Sequence, residues 1–257
     1  MRILLTTAVL AALAVSAAPT ATSAPALAPI VVVELFTSEG CSSCPPADAL
    51  LMQLSEPGAA GATILTLSEH VDYWDQLGWR DPFSAQLFSR RQSDYAARAF
   101  RSDRIYTPQI VVDGRLETVG SDAASVRSLV AQAARDPKAV VTVTATRHGT
   151  ADLNATVAID ARGIERRGDA DVVVAVVEDR LQNDVKRGEN QGRTLAHTAV
   201  VRGLTSAGTI SAKSAAFGGE ARIPWTAAWK PADVRVIAFV QDKRTMRIFG
   251  AGAATVR

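Results

Sequence analysis

Cysteine is scarce in this sequence: the 257 residues contain only two thiols, at positions 41 and 44, and three histidines. Aromatic residues make up 5% of the chain, and neither sign of charge dominates, with 28 Lys and Arg against 26 Asp and Glu. No dense block of Lys and Arg is present, which argues against a nucleic-acid-binding protein. A hydrophobic fraction of 47% excludes disordered and collagen-like chains. The length allows two modest domains, each with its own core.

Long apolar runs are also lacking, except at the N-terminus. Arg2 precedes an almost unbroken apolar stretch over residues 3–15, and residues 17–28 are rich in small residues and proline. This pattern is typical of an export signal. We expect residues 1–24 to be removed, which leaves a mature chain with no membrane span, periplasmic or secreted, in an oxidising compartment. The alternative is that the segment stays as a single anchoring helix.

Residues 29–136 carry the pattern of an α/β domain. A β-branched run, IVVVELF, predicts a strand buried on both faces. A turn, a helix that starts at Pro45 and a second strand follow, and they predict a right-handed parallel β-α-β unit. Asp81–Pro82 is typical of a helix start, and Asp113–Gly114 is typical of a two-residue hairpin. The predicted strands are 30–36, 63–68, 109–112 and 115–119, and the predicted helices are 45–54, 82–100 and 122–135.

The pattern changes at Asp136–Pro137. From Ala139 onward, hydrophobic residues recur with a period of two, which indicates strands. About seven such strands at short spacing, without a convincing helix, predict an all-β sandwich over residues 138–257. The sequence therefore predicts an α/β domain over residues 29–136, followed by a separate β-sandwich domain.

The strongest chemical signal is the motif Cys41-Ser-Ser-Cys44, between the first predicted strand and its helix. A helix N-terminus carries free N–H groups and a partial positive charge, which lower the pKa of a thiol. Cys41, in the turn, is therefore the predicted exposed nucleophile. Cys44, nearer the helix, is the predicted buried thiol that resolves a mixed disulfide. The alternatives are a purely structural disulfide and half of a zinc site.

Two further segments are expected near the cysteine pair. Thr107–Pro108 stands at the entrance to a strand and is a candidate cis peptide bond. His70, Tyr73 and Trp74 follow the second strand, whose carboxyl end lies at the same sheet edge as that of the first, so we predict that they bind the substrate peptide together with Thr107 and Pro108. His70 there is suited to stabilise a thiolate or relay a proton. The alternative is that the aromatic side chains pack under a loop that His70 caps.

The segment Gly188–Arg193 (GENQGR), with His197 close behind it, has two glycines around three polar residues. One interpretation is a shaped loop that docks on the first domain and forms one wall of the dithiol cleft. The other is a tight loop between strands with ordinary polar caps.

The order strand, C-x-x-C, helix, strand, helix, Thr-Pro, hairpin and helix resembles the thioredoxin fold. By that resemblance Pro108 is a cis-proline that faces the two cysteines, and Thr107 offers backbone hydrogen bonds to a bound peptide. The stretches FTSEGCSSCPPAD, HVDYWDQLGW, YTPQIVVDG and GENQGRTLAHTAVVR resemble more closely a family of bacterial secreted proteins with a domain of unknown function. Ser42 and Ser43 replace the Gly-Pro usual in thioredoxins, so the redox potential of that family does not transfer.

These features predict an exported thiol-disulfide oxidoreductase that acts through Cys41 and Cys44 and needs no cofactor or metal. Its partners are cysteine-containing exported proteins or a redox partner protein. In a second hypothesis the chain is a binding module with a passive disulfide. In a third it is a copper carrier, with Cys41, Cys44 and His70 as soft ligands for Cu(I).

Overall fold

The computed structural model describes residues 29–57, 62–149 and 151–257. The predicted export signal, residues 1–24, lies outside this range. The α-helices are α1 (Pro45–Ser55), α2 (Gln86–Asp94) and α3 (Ala123–Ala133), with 3-10 turns at Asp72–Leu77 and Pro231–Asp233 and a π-helical turn at Tyr95–Phe100. The strands are β1 (Ile30–Thr37), β2 (Thr63–His70), β3 (Gln109–Val112), β4 (Leu116–Val119), β5 (Val140–His148), β6 (Asp152–Asp160), β7 (Ala170–Glu178), β8 (Leu181–Asp184), β9 (Thr194–His197), β10 (Val200–Ile210), β11 (Ala216–Pro224), β12 (Val234–Asp242) and β13 (Ile248–Thr255).

The fold is mixed α/β, with one large sheet and two smaller ones. Eight strands form the large sheet in the order β13-β12-β7-β10-β2-β1-β3-β4. A three-stranded sheet has the order β11-β6-β5, and β8 pairs with β9 alone. Strands β1 and β2 are parallel, as the β-α-β pattern predicts, and β3 and β4 extend that side of the sheet in antiparallel pairs.

The expectation of a separate sandwich is wrong, because the large sheet contains strands from both sides of Asp136–Pro137. Strand β10 joins the two groups: it is antiparallel to β7 and meets β2 at the pair Val200 and Ser68. The division of the chain into domains at residues 29–136 and 138–257 stays a prediction, but the large sheet is hydrogen-bonded across the boundary between the two ranges. A period-two pattern predicts strands and their buried face, but it carries no information about which sheet a strand joins.

The second half does bury a core between two sheets. Alternate side chains of β5 and β6 pack against side chains of β7 and β12. The three-stranded sheet lies very close to β13 of the large sheet. A Cβ on Gly250 would lie 2.3 Å from the carbonyl oxygen of Ala139, and a Cβ on Gly252 would lie 2.1 Å from that of Val141. Glycine is therefore required at both positions, since a side chain would collide with the backbone of β5 and its preceding residue.

Helices cover the other half of the large sheet. Leu50, Leu51 and Leu54 of α1 and Val126 and Val130 of α3 pack on one face, as their helical spacing predicts. The helix expected from Pro82 begins only at Gln86, because Asp81 starts a short turn instead: its Oδ1 accepts the Phe83 N–H, its carbonyl accepts the Ser84 N–H, and its Oδ2 binds Glu39 and His70. None of the helices in the described ranges is long and apolar enough to span a bilayer.

Candidate functional site

The site is built on the turn between β1 and α1, residues Ser38–Cys44, called here the cysteine turn. Cys41 and Cys44 form a disulfide, with their Cα atoms 5.4 Å apart. The Cys41 N–H donates to the Ser38 carbonyl, and the Cys44 N–H donates to the Cys41 carbonyl. The Ser43 hydroxyl lies 3.4 Å from the Cys41 sulfur. The backbone therefore folds tightly around the disulfide, with one hydroxyl group next to the predicted nucleophile.

The expected exposure of Cys41 is wrong, since both cysteines are fully buried, at 0% exposure. Part of the cover comes from the segment Gly188–Arg193, called here the cover loop. The side-chain amide of Asn190 donates to the carbonyl oxygens of Glu39 and Cys41, each at 2.9 Å. The Glu189 carboxylate accepts the Ser42 N–H at 3.1 Å. These contacts confirm the interpretation in which the segment docks beside the cysteines.

The start of α1 offers the cysteines fewer N–H donors than the sequence argument assumed. Pro45 and Pro46 occupy the first two helical positions and have no N–H. The N–H groups of Ala47 and Asp48 both donate to the Cys44 carbonyl. The partial positive charge of the helix remains, but the first four helical residues leave no N–H free for a sulfur atom.

Asp48 is a buried carboxyl group one helical turn beyond Cys44. Positions i and i+4 share a helix face, so the Asp48 side chain lies on the side of α1 that carries Cys44. Its Oδ2 accepts the Thr37 hydroxyl at 3.3 Å, and its Oδ1 has no partner among the described residues. Burial raises the pKa of Asp48 to about 7, although the nearby His197 and the Thr37 hydrogen bond lower it. The motif C-x-x-C-x-x-x-D carried this signal, which the sequence analysis missed.

Glu39 holds the other side of the cysteine turn. Its carboxylate accepts the Trp79 indole N–H and the Asn183 amide, each at 2.8 Å. The same carboxylate lies 3.1 Å from Nε2 of His197. These partners come from the segment after β2 and from the β8–β9 hairpin, so Glu39 joins both to the cysteine turn. Sequence reasoning did not identify Glu39.

His70 lies in the core, not on the peptide-facing surface expected for it. It has no exposed surface, and its Nδ1 is 2.7 Å from Asp81 Oδ2, which also accepts the Glu39 N–H. Burial alone would raise the pKa of Asp81, but His70 and the backbone N–H donors hold it below its usual value. The His70 and His197 rings meet edge to face, with centroids 4.8 Å apart. The structure thus favours a packing role for His70.

Trp74 connects the predicted peptide-binding residues. Its indole N–H donates to the Thr107 hydroxyl at 2.9 Å. A Cβ placed on Gly40 would lie 3.2 Å from the Trp74 Cβ, so Trp74 also packs against the residue before Cys41. The Thr107–Pro108 bond is cis, which confirms that prediction. The Tyr73 hydroxyl donates to Gln92 at 3.1 Å, and the Thr107 side chain also hydrogen-bonds to it.

The histidines and cysteines do not form a metal centre within the described ranges, where no group of three or more His, Cys, Asp or Glu side chains is arranged to hold an ion. His70 is paired with Asp81, and both sulfur atoms are in the disulfide. This geometry gives no support to the copper-carrier hypothesis.

Comparison with known proteins identifies the family. A protein from Agrobacterium tumefaciens, solved by crystallography in a structural-genomics programme, is 29% identical, with a TM-score of 0.65 over 87% of this chain and 92% of that chain. HBP35 of Porphyromonas gingivalis shares the fold at 15% identity, with a TM-score of 0.64 over 90% of this chain and 76% of that chain. No curated protein matches the sequence. The family described as "Protein of unknown function (DUF1223)" matches residues 32–241, a range that includes the cysteine turn and the cover loop, and the chain belongs to this family.

Proposed function

We propose that this protein is an exported thiol-disulfide oxidoreductase with a thioredoxin-like first half. The observation that carries the proposal is the Cys41–Cys44 disulfide, placed where a strand of a parallel pair turns into a helix, with a titratable carboxyl group one turn further on. The predicted export signal directs the chain to the periplasm or out of the cell, where thiols of exported proteins need oxidation or rearrangement.

The exchange uses both sulfur atoms. A substrate thiolate attacks the Cys41 sulfur, a new S–S bond forms, and the electron pair of the broken bond goes to the Cys44 sulfur. The Asp48 carboxylic acid gives its proton to that thiolate, because its pKa of about 7 leaves it partly protonated at neutral pH. A second substrate thiolate then attacks the substrate sulfur of the mixed disulfide and releases Cys41. Two substrate thiols become a disulfide, and the protein becomes a dithiol; the reverse sequence reduces a substrate.

Trp74, Thr107 and Pro108 form the surface for the substrate peptide in this proposal. Trp74 and Thr107 are half-buried and hydrogen-bonded to each other, and Trp74 packs next to Cys41. The segment before Pro108 offers backbone groups to an extended peptide, as strand addition requires. Tyr73, which bonds both Gln92 and Thr107, holds Thr107 in place.

The test is to trap the mixed disulfide. In Cys44→Ser, the thiol that resolves the intermediate is lost, so Cys41 should retain exported proteins as adducts on non-reducing gels. Cys41→Ser is the matched control and should form no adducts. Equal adducts in both variants would reverse or remove the assignment of roles.

A binding module with a passive disulfide is the second candidate, and the burial of both cysteines favours it. It would be the better description if neither variant forms an adduct and the disulfide has a reduction potential below about −300 mV, as structural disulfides have. The oxidoreductase should have a higher potential.

A further inference from the structure

The buried disulfide presents a problem of access. A thiolate must approach the sulfur that it attacks, yet Cys41 and Cys44 have no exposed surface. Ser42 and Ser43 between them are exposed, so the disulfide lies just beneath the surface. A small displacement of whatever covers it is therefore enough to admit a substrate.

The cover loop contacts the cysteine turn but belongs to no strand of the large sheet. It connects β8 and β9, which form a two-stranded sheet outside the large sheet. Gly188 and Gly192 have φ angles of +77° and +81°, a region open to glycine, and they stand near the two ends of the loop. Against the cysteine turn it is held by two side chains, those of Asn190 and Glu189. Gly188 also packs against Gly78 and Trp79, so opening of the loop releases this contact together with the hydrogen bonds, but it breaks no strand of the large sheet.

The charge of Glu189 makes this contact sensitive to the state of the cysteines. Hydrogen bonds from Ser42 hold the pKa of Glu189 below its usual value, so the carboxylate is ionised at neutral pH. A thiolate on Cys41 would bring a second negative charge beside the Ser42 N–H that Glu189 accepts, and the two like charges would repel each other. The disulfide is uncharged, so it does not repel the Glu189 carboxylate. The closed loop is therefore better matched to the oxidised protein.

We infer that the cover loop is a redox-coupled lid, in which Asn190 holds the loop closed over the disulfide and Glu189 releases it when Cys41 becomes a thiolate. The coupling acts in both directions, because a loop that is destabilised by reduction must itself disfavour reduction while closed. Asn190 and Glu189 are positioning residues, and neither reacts. The inference rests on the proposed function for its biological purpose, since it assigns the regulation of the same cysteine pair.

The first test measures reduction of the disulfide by dithiothreitol in the full chain. Glu189→Gln keeps an acceptor for the Ser42 N–H and removes the charge, so we expect about fivefold to tenfold faster reduction and a similar shift of the equilibrium toward the dithiol. Asn190→Ala removes the other contact and should also accelerate reduction. Glu220→Gln, an exposed glutamate on β11, is the matched control for loss of charge and should behave as the wild type. A Glu189→Gln rate and equilibrium within twofold of the control would overturn the inference.

The second test needs no variant. Amide hydrogen exchange of the wild-type chain is compared in the oxidised and reduced forms, with the amides of β6 as the internal reference. Amides within the cover loop, such as those of Gln191, Gly192 and Arg193, bond only to groups of the same hairpin. They should exchange several-fold faster after reduction, and unchanged exchange would contradict the lid. Both tests use a small dithiol, so their outcome is independent of whether Cys44→Ser captures any protein.

Discussion

Strand β1 carries one buried glutamate in its middle and a second just beyond its end, and their surroundings differ. Glu34 binds the guanidinium of Arg91 at 2.6 Å, and the Tyr95 hydroxyl also donates to it. Within the part of the chain that the structure describes, Glu39 has no arginine partner; it accepts hydrogen bonds from an indole and an amide and lies 3.1 Å from Nε2 of His197. Both carboxylates are fully buried. Glu34 is thus paired with a permanent cation, whereas Glu39 is held by hydrogen bonds.

The Arg91 side acts as a brace between the two halves of the chain. Arg91, on α2, donates to Glu34, and its Nε also lies 3.2 Å from Oε1 of Glu69, on β2. It also donates to the side chain of Gln241, on β12, at 3.0 Å. Gln241 donates in turn to the Tyr95 hydroxyl at 2.8 Å. Arginine stays protonated at every accessible pH, so this network contains a permanent positive charge. Burial raises the pKa of Glu69 well above its usual value, although Arg91 lowers it.

The buried polar groups around the cysteines differ from the Arg91 network. Asp48 Oδ1, His70 Nε2 and His197 Nδ1 are buried and have no hydrogen-bond partner among the described residues. Burial raises the pKa of Asp48 to about 7, so this carboxyl group can gain or lose a proton near neutral pH. The two buried polar clusters next to the same strand therefore differ: the first is built around a permanent cation, and the second holds a carboxyl group that titrates near neutral pH one helical turn beyond Cys44.

Removal of the brace should give the largest effect. Arg91→Met leaves Glu34 and Glu69 buried without their cation, so we expect a loss of about 3–5 kcal/mol in the free energy of unfolding, measured by urea denaturation. Arg98→Met is the control, because Arg98 is exposed and pairs with Asp94 on the helix surface, where loss of a pair costs about 0.5 kcal/mol. A comparable loss in both variants would show that the Arg91 network is no special brace.

The second prediction concerns pH and Asp48. Its pKa is about 7 in the folded protein and about 4 in an unfolded chain. Between pH 4 and pH 7, Asp48 is therefore mostly protonated in the folded protein and mostly ionised in the unfolded chain. The contribution of Asp48 to stability is fully present below pH 4, falls as the pH rises to 7 and is constant above, a total change of about 4 kcal/mol. Relative to Asp48→Asn, the wild type should therefore lose stability across pH 4–7. Parallel unfolding free energies of the two proteins across this range would contradict the buried titration.

The third prediction concerns the anchor of the cysteine turn. Trp79 and Asn183 both donate to Oε2 of Glu39, and Oε1 faces Nε2 of His197. In Glu39→Gln the amide oxygen can keep the two donors, but they lose a charged acceptor, and the amide N–H₂ faces His197. We expect a loss of about 1–3 kcal/mol in the unfolding free energy, with faster reduction of the disulfide by dithiothreitol, because Glu39 also holds the turn in place. Glu117→Gln, at a partly exposed carboxylate on β4, provides the control and should leave the reduction rate unchanged.

Local patterns predicted most elements of the first half well. The β-branched run became β1, the Asp113–Gly114 hairpin has positive φ at both residues, and Thr107–Pro108 is cis. Each depends on residues that are close in sequence, where steric rules and periodicity act. The same reasoning failed for Asp81, because it starts a short turn instead of a helix, with its Oδ2 bound to His70 and Glu39.

The candidate site depended on distant contacts that the sequence does not specify. The Asn190 side chain donates to the Cys41 carbonyl oxygen across 149 positions of sequence, and this contact places part of the cover over the buried cysteine. The pairing of β10 with β2, which makes one sheet from two predicted domains, is of the same kind. The glycines of the cover loop indicated a shaped loop, but only the packed fold shows which surface the loop contacts.

The smallest expected effect concerns the hydroxyl next to Cys41. The Ser43 hydroxyl lies 3.4 Å from the Cys41 sulfur and is placed to donate a hydrogen bond to the Cys41 thiolate of the reduced protein; such a donor favours the charged form of a thiol. Ser43→Ala removes this donor, so the thiolate fraction of Cys41 at neutral pH should fall by about twofold to tenfold, the equivalent of one ordinary hydrogen bond. The pH dependence of alkylation by iodoacetamide, followed in the Cys44→Ser background, measures the change. Ser42→Ala is the matched control, because it removes an equal hydroxyl and keeps the Ser42 backbone N–H that Glu189 accepts. An equal fall in both serine variants would mean that general polarity of the turn, and not the Ser43 hydrogen bond, sets the thiolate population on the cysteine side of the molecule.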